Sequence, residues 1–535
     1  MYLYVFSCVL FFLFVFFLFC FFPFSKLCVR FFDFFFLGFK LNFCYSSVIF
    51  SIILLFVSVS VLVYSCYYLN GEINFYYYMF VLLVFICSIF FLILSNGLLS
   101  IMVSWDLLGI SSFFLVLFYN NWDSCSGSIN TVITNRLGDF FMFVFFSLSF
   151  FNYIYFYRYS FVCFGFLLFL VLSAFTKSAQ FPFSGWLPKA MSAPTPVSSL
   201  VHSSTLVTAG LVLLLNFNLL IFSSSVMFLL CFFGVFTMFF SSICALYECD
   251  LKKVVALSTL SQMGFSILTL GLGLHFVSLL HLLSHALFKS CLFIQVGYII
   301  HCSFGQQDGR NYNGMCGLPH FIQLQLLITL FCLCGLFFTS GSVSKDFIIF
   351  LFFSNTFSFV FSLFFFISVF FTFCYSYRIW FRLFSSSSSS LFFYSGSFLI
   401  NFISVLLVVF SVCFIWWLNL NILSIPSLFL YLDFYIPLFF LFVFGFFFKF
   451  SFKFVSYELK YKFLVDFFPR FLLFFILNNK VVDLFLNKLN HYLIGVFSLF
   501  SRNSIIVMRS PFRIFVFFIM FVFVLIWAFS IFEYI

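Results

Sequence analysis

In the stretch HFVSLLHLLSHALFKSCLF, proton-exchanging side chains recur at intervals of four: His281, His285 and Lys289. On a helix this spacing lays them along one face over about 12 Å, at ~1.5 Å per residue. Haem or metal ligation would use the histidine pair, yet no other soft ligands stand nearby and Lys289 continues the row without a use. A satisfied core histidine accounts for one such residue and poorly for an aligned set. A proton relay uses them all, since imidazole titrates near pH ~6.5 and burial brings an amine within reach of proton exchange. The relay is the reading that leaves nothing over.

A second set lies in TKSAQFPFSGWLPKAMSAPTPVSSLVHSSTLVTAG, which holds Lys177, Pro182, Pro188, Pro194, Pro196 and His202. Between Tyr159 and Tyr247 the only formal charges are Lys177 and Lys189. A charge at the centre of a membrane helix costs ~2.5–3.5 kcal/mol and usually marks an ion path. The alternative is that Lys177 ends a helix and snorkels to the interface. A helix from about Phe161 to Lys177 is expected, interrupted by Pro182 and Gly185. Thr195-Pro196 then reads as an N-cap followed by proline at the first helical position, opening the helix of His202. Broken helices at membrane depth survive only where protein or a wet cavity surrounds them.

GLFFTSGSVSKDFIIF repeats the pattern, with Gly335, Gly341 and serines just before Lys345-Asp346. Ser344 is expected to cap the next helix, leaving Lys345 beside its positive end. Two interrupted helices in corresponding halves of a chain point to a transport site. Acidic partners are also present. Asp106 is a lone carboxylate in MVSWDLLGISSFF, and Arg136 and Asp139 in TNRLGDFF have the spacing of an ion pair. Glu248, Asp250, Lys252 and Lys253 read as a solvated loop.

The elements that must position these groups are membrane helices. The 535 residues are 65% hydrophobic and 7% charged, against roughly 25% charged in soluble domains. Runs such as Tyr4–Phe22, Ser47–Val63, Leu211–Leu246, Leu391–Leu418 and Phe512–Ile531 have bilayer-spanning character. The expectation is an all-α polytopic bundle of about 14–16 helices at ~20 residues each. A β-barrel would need alternating segments, and FFLFVFFLFCFF does not alternate. The net charge of +10 is too scattered to bind nucleic acid; Lys449, Lys453, Lys460, Lys462 and Arg470 flank a membrane segment instead.

Despite 18 cysteines no CxxC pair occurs, and GLGLHF is no phosphate loop. No cofactor or metal is therefore expected in this chain. The excess of Phe, Tyr, Cys and Ser follows T-rich codons, and the N-terminus is a span rather than an Arg-rich presequence. Both suggest an organelle genome. Short polar interruptions at Asn120–Asn130, Glu248–Lys253, Gly305–Pro319 and Ser385–Ser390 read as loops. The chain divides into a transmembrane region, 1–477, an amphipathic helix, 478–510, and a final span, 511–535.

SAQFPFSGWLPKAMSAPTPVSSLVHSSTLVTAG resembles the signature of the chain 5 family of NADH:ubiquinone oxidoreductase, respiratory complex I. More broadly the chain is similar to the antiporter-like subunits shared with multisubunit sodium/proton antiporters. WDLLG, NRLGD, DLKKVVALSTLSQMG, HLLSHALFKSCLF, QDGR, SVSKD and YSYR match in order from Trp105 to Arg378. The resemblance implies two inverted repeats, each with a broken helix, and a hydrophilic axis carrying protons. Lys177 then stands for the central lysine and Asp106 for its acidic partner. His202, His281, His285 and Lys289 stand for the connecting relay, and Lys345 for the lysine of the second half. Arg136, Asp139 and Asp346 support them. The late helix Asn478–Ser510 resembles one that runs along neighbouring antiporter-like subunits.

Asp106 replaces the family's usual Glu, and Lys189 and Ser192 stand where many members have acids. The implied setting is the mitochondrial inner membrane, among other membrane-arm subunits and lipid. NADH, FMN, iron–sulfur clusters and ubiquinone would bind in other subunits. The implied function is proton translocation driven by their redox chemistry; the alternative is a subunit of a multisubunit sodium/proton antiporter.

Overall fold

A backbone in lipid must satisfy its own hydrogen bonds, so apolar stretches of spanning length close into helices. A computed structural model describes residues 39–95, 97–151, 164–217, 223–312, 320–336, 339–354, 359–384 and 398–419, with short pieces before residue 33. They fall within the first of two compact units, Met1–Lys460. The serine run Ser385–Ser390, the amphipathic stretch 478–510, the final span and the division at residue 477 lie outside the described residues.

Helices α1 (Tyr45–Tyr68), α2 (Phe75–Leu94), α3 (Leu98–Val116) and α4 (Trp122–Phe151) come first. They lead to α5 (Phe164–Lys177), the short α6 (Trp186–Ala190) and α7 (Thr195–Asn216). Next are α8 (Ser224–Tyr247), α9 (Leu251–Gly271) and α10 (His275–Cys302). The described part closes with α11 (His320–Cys334), α12 (Ser342–Ser354), α13 (Phe359–Phe384) and α14 (Phe398–Leu418). Among the described residues, nine helices are long and apolar enough to cross a membrane. The all-α expectation needs one addition: Leu27–Phe32 (β1) and Phe39–Phe43 (β2) form an antiparallel pair before α1.

Three spans, α7, α9 and α10, are enclosed on every side, and α1 to α3 and α8 are both more apolar and more exposed. This is the polarity a bilayer selects, because polar side chains must face protein where lipid offers them no partner. The histidine row thus lies on a helix that is buried all round, not on a single buried face. In α7, residues Ser198–Thr205 widen into a π-helical turn. Ser203 donates back to Ser199 O and Thr205 Oγ1 to Leu200 O at 2.7 Å. Such side-chain bonds compete with the regular ladder, and π turns concentrate at functional positions.

Both predicted breaks are present. α5 ends at Lys177 and α7 begins at Thr195, with a 3₁₀ turn at Phe183–Gly185 between them. Thr195 is the first helical residue and Pro194 the cap, one position earlier than expected. α11 ends at Cys334 and α12 begins at Ser342. Ser344 therefore lies inside the first turn of α12 and does not cap it.

Candidate functional site

At the first break Lys177 is fully buried, so it does not snorkel. Its Nζ donates to Trp105 O at 3.3 Å and lies 4.9 Å from the centre of the Trp105 ring. A cation over an indole face is attracted by the ring quadrupole. Gly109 of α3 lies alongside, its Cβ position 3.5 Å from Nζ, an ordinary contact distance. Trp186 joins the next piece: its Nε1 donates to Thr176 O at 3.0 Å, while its ring packs against His202. His202 is fully buried, and among the described residues neither ring nitrogen has a hydrogen-bond partner.

Among the described residues, no direct ion pair joins Asp106 to Lys177. The ion partner of Asp106 is Arg136, at 3.8 Å, and Arg136 also binds Asp139 at 3.2 Å, as its spacing predicts. Asp139 is the more buried of the two acids, its side chain 9% exposed against 40% for Asp106. Asp139 Oδ1 is buried, and the buried Trp105 indole N–H is directed at this carboxyl, so Trp105 faces both Asp139 and Lys177. Asp106 and Arg136 line a cleft of about 310 Å³ with Ile110, Phe113 and Ile133 on the outer side of α3 and α4.

At the centre, His281, His285 and Lys289 are fully buried on α10. Lys289 Nζ donates to Ser258 Oγ of α9. His281 Nδ1 meets Ser344 Oγ of α12 at 2.8 Å, and its ring packs on Phe265. Among the described residues, neither nitrogen of His285 has a hydrogen-bond partner. At the second break Lys345 is buried, and its Nζ donates to Leu333 O at the end of α11. Gly335, at φ +75°, makes this possible; a Cβ there would lie 2.8 Å from Lys345 Cδ. Asp346 is half-buried beside it.

Three of the sequence motifs meet at one membrane edge. Leu251 N donates to Gln307 O at 3.0 Å and Gly309 N to Cys249 O at 2.9 Å, docking QDGR on the turn before α9. Arg378 of YSYR donates to Ala245 O at 3.2 Å and Glu248 O at 2.7 Å, closing the carbonyl end of α8. Burial pushes the Glu248 carboxyl up; Arg310 beside Asp308 holds that carboxyl below its usual range. The solvated-loop reading fails for Lys252, which is buried in the first turn of α9 with Nζ 3.5 Å from Ala193 O. Lys253 does pair with Asp250, at 2.6 Å.

A family model described as NADH:quinone oxidoreductase/Mrp antiporter, TM, matches residues 95–372. NADH-ubiquinone oxidoreductase chain 5 of Ascaris suum is 59% identical over 481 residues, covering 90% of this chain and 88% of that one. The Caenorhabditis elegans chain 5 is 58% identical over 468 residues, 88% of this chain and 89% of its own. The chain belongs to the chain 5 family. Its fold is also similar to that in the structure of an Mrp complex from Dietzia, with a TM-score of 0.71 at 20% identity. That likeness covers 97% of this chain and 59% of the other. An archaeal membrane-bound sulfane sulfur reductase gives 0.64 at 20% identity, over 72% of this chain and 82% of its own.

Within this chain 5 framework, Trp105, Trp186, Ser258 and Ser344 touch the candidate residues and were not singled out for contact by sequence. Trp105 and Ser258 stand inside WDLLG and DLKKVVALSTLSQMG, which was their available signal.

Proposed function

We propose that protons pass through this chain along Lys177, His202, His281, His285, Lys289 and Lys345, with Asp139 and Asp106 supplying the counter-charge at the first lysine. As a chain 5 family member, the chain is a membrane-arm subunit of a proton-translocating NADH:ubiquinone oxidoreductase. The residue-level reading rests on one observation: all six groups are buried in a chain of bilayer-spanning helices. Ionisable groups are costly at that depth and are retained where they conduct charge.

In this reading Lys177 alternates between the carboxylates of Asp139 and Asp106 and the side facing His202. The unpartnered nitrogens of His202 and His285 serve as proton acceptors. Moving a charge against the membrane potential costs ~2.3 kcal/mol per 100 mV. The drive therefore comes from redox chemistry in other subunits, where NADH, FMN, iron–sulfur clusters and ubiquinone bind; this chain carries no cofactor of its own. The setting is the mitochondrial inner membrane, with the gene in the organelle.

Asp106 and Arg136 also bear on partners. Their side chains are 40% and 58% exposed at the middle of helices whose outer faces carry Val103, Leu107, Ile129 and Ile133. Lipid would leave such charges poorly solvated. A neighbouring antiporter-like chain covering this face suits them better. The fold likeness to an Mrp complex, at 20% identity, bears on fold alone and does not favour the alternative of a sodium/proton antiporter subunit.

Mild-detergent extraction, native electrophoresis with an in-gel NADH oxidation stain, and mass spectrometry test the assignment. The chain is expected in a large NADH-oxidising band. Migration apart from all such activity would overturn it in favour of the antiporter.

A further inference from the structure

Ser344 carries one side-chain contact from the second break to the histidine row. Its Oγ lies 2.8 Å from His281 Nδ1 and 3.3 Å from Gly341 O, and all but the backbone group belong to buried side chains. A hydroxyl has one proton to give and lone pairs to receive with, and a carbonyl can only accept. When Ser344 donates to Gly341 O, its Oγ accepts from His281 Nδ1–H. His281 is then the tautomer whose Nε2 is bare, and that Nε2 is buried without a hydrogen-bond partner. It is the atom free to take up a proton.

The adjoining residue is Lys345. Consecutive side chains on a helix diverge by about 100°, so one turn of α12 reaches two helices at once. Ser344 reaches α10, and Lys345 reaches Leu333 O at the end of α11. Gly341 seats that turn tightly, since a Cβ there would lie 2.1 Å from Cys332 O. Both contacts thus sit on one short piece of backbone, and a displacement that frees Lys345 from Leu333 also strains the Ser344–His281 bond.

We propose that Ser344 is a positioning residue, a latch by which the seating of Lys345 fixes the tautomer of His281. The inference rests on the relay reading of those two residues. With the latch closed, a proton arriving at Nε2 makes an imidazolium whose Nδ1–H stays held by Ser344, so the proton can leave only by Nε2. With the latch open, the Nδ1 proton passes to the neutral amine of Lys345, released from Leu333 O, the Nε2 proton stays on the ring, and one proton has crossed it. The latch gives the step its direction.

The test uses the assembled complex in membrane vesicles and reads protons moved per NADH oxidised. Ser344→Ala is expected to lower that ratio, and Ser344→Thr, which restores a hydroxyl, to return it. Should Ser344→Ala fail to assemble, Ser344→Cys, close in size and weaker in hydrogen bonding, carries the same expectation of a lowered ratio. His281→Gln is measured alongside. A wild-type ratio in Ser344→Ala or Ser344→Cys with a reduced ratio in His281→Gln overturns the latch and spares the relay. A wild-type ratio in His281→Gln overturns the relay reading itself. Equal losses in Ser344→Ala and Ser344→Thr overturn the latch, because the hydroxyl would then not be what matters.

Discussion

The two broken-helix regions solve one electrostatic problem with different chemistry. Lys177 and Lys345 each donate to a backbone carbonyl, but around Lys177 the sequence adds carboxylates: Asp139 and Asp106, with Arg136 between them. Around Lys345 and Lys289 the neighbours are a backbone carbonyl, hydroxyls and a thiol: Leu333 O, Ser258, Ser344, and Cys334, which meets Ser376 at 3.0 Å. Asp346 is the nearby acid there, and it is only half-buried. A carboxylate holds a lysine by charge, while a carbonyl or hydroxyl holds it by a weaker, directional bond. The first region is thus suited to hold a charge, and the second to pass one on.

The largest effect expected from this contrast is at the acids. Asp139→Asn should remove most proton pumping, and Asp106→Asn should remove less, because Asp139 is the more buried. Proton-to-electron ratios of the two assembled variants check the order; a reversed order would return Asp106 to the role its motif position suggested.

Next come the backbone breaks. Gly335→Ala forces a side chain into left-handed φ and against Lys345, a strain of about 1–2 kcal/mol before any clash. Gly185 has φ −69° and open space around its Cβ position. Gly185→Ala should change stability by less than ~1 kcal/mol, in the stabilising direction. Thermal melting of the detergent-extracted complex separates them, and equal losses would mean that the breaks are built alike.

The smallest effect is expected at the exposed edge. Arg310 depresses the Asp308 carboxyl, so this contact contributes above the unfolded carboxylate's pKa. It is lost only as pH falls through the lowered folded value. Because Arg310 is largely exposed, Asp308→Asn should lower melting only slightly at neutral pH, where the contact is present, and that small difference should vanish in acid and in salt.

Much of this was legible in the sequence, and the residues show why. Prolines and glycines announced both breaks because they act locally, and the fourfold spacing announced a single helix for His281, His285 and Lys289. Ion partnership across helices was less legible. Nothing in WDLLG says that Asp106 faces Arg136 rather than Lys177, since that depends on how α3, α4 and α5 rotate against one another. Lys252 was misread for a related reason: a polar run at a helix start looks like a solvated loop until the packing of α9 encloses it. Ser344 sat in a recognised motif, but its partner His281 is 63 residues away.

The most direct measurement is proton stoichiometry in vesicles carrying the assembled complex with Lys177→Met. The account predicts fewer protons moved per NADH oxidised than in wild type, because the buried charge that begins the path is gone. An assembled Lys177→Met complex with an unchanged ratio would contradict it, and the buried row would then be structural.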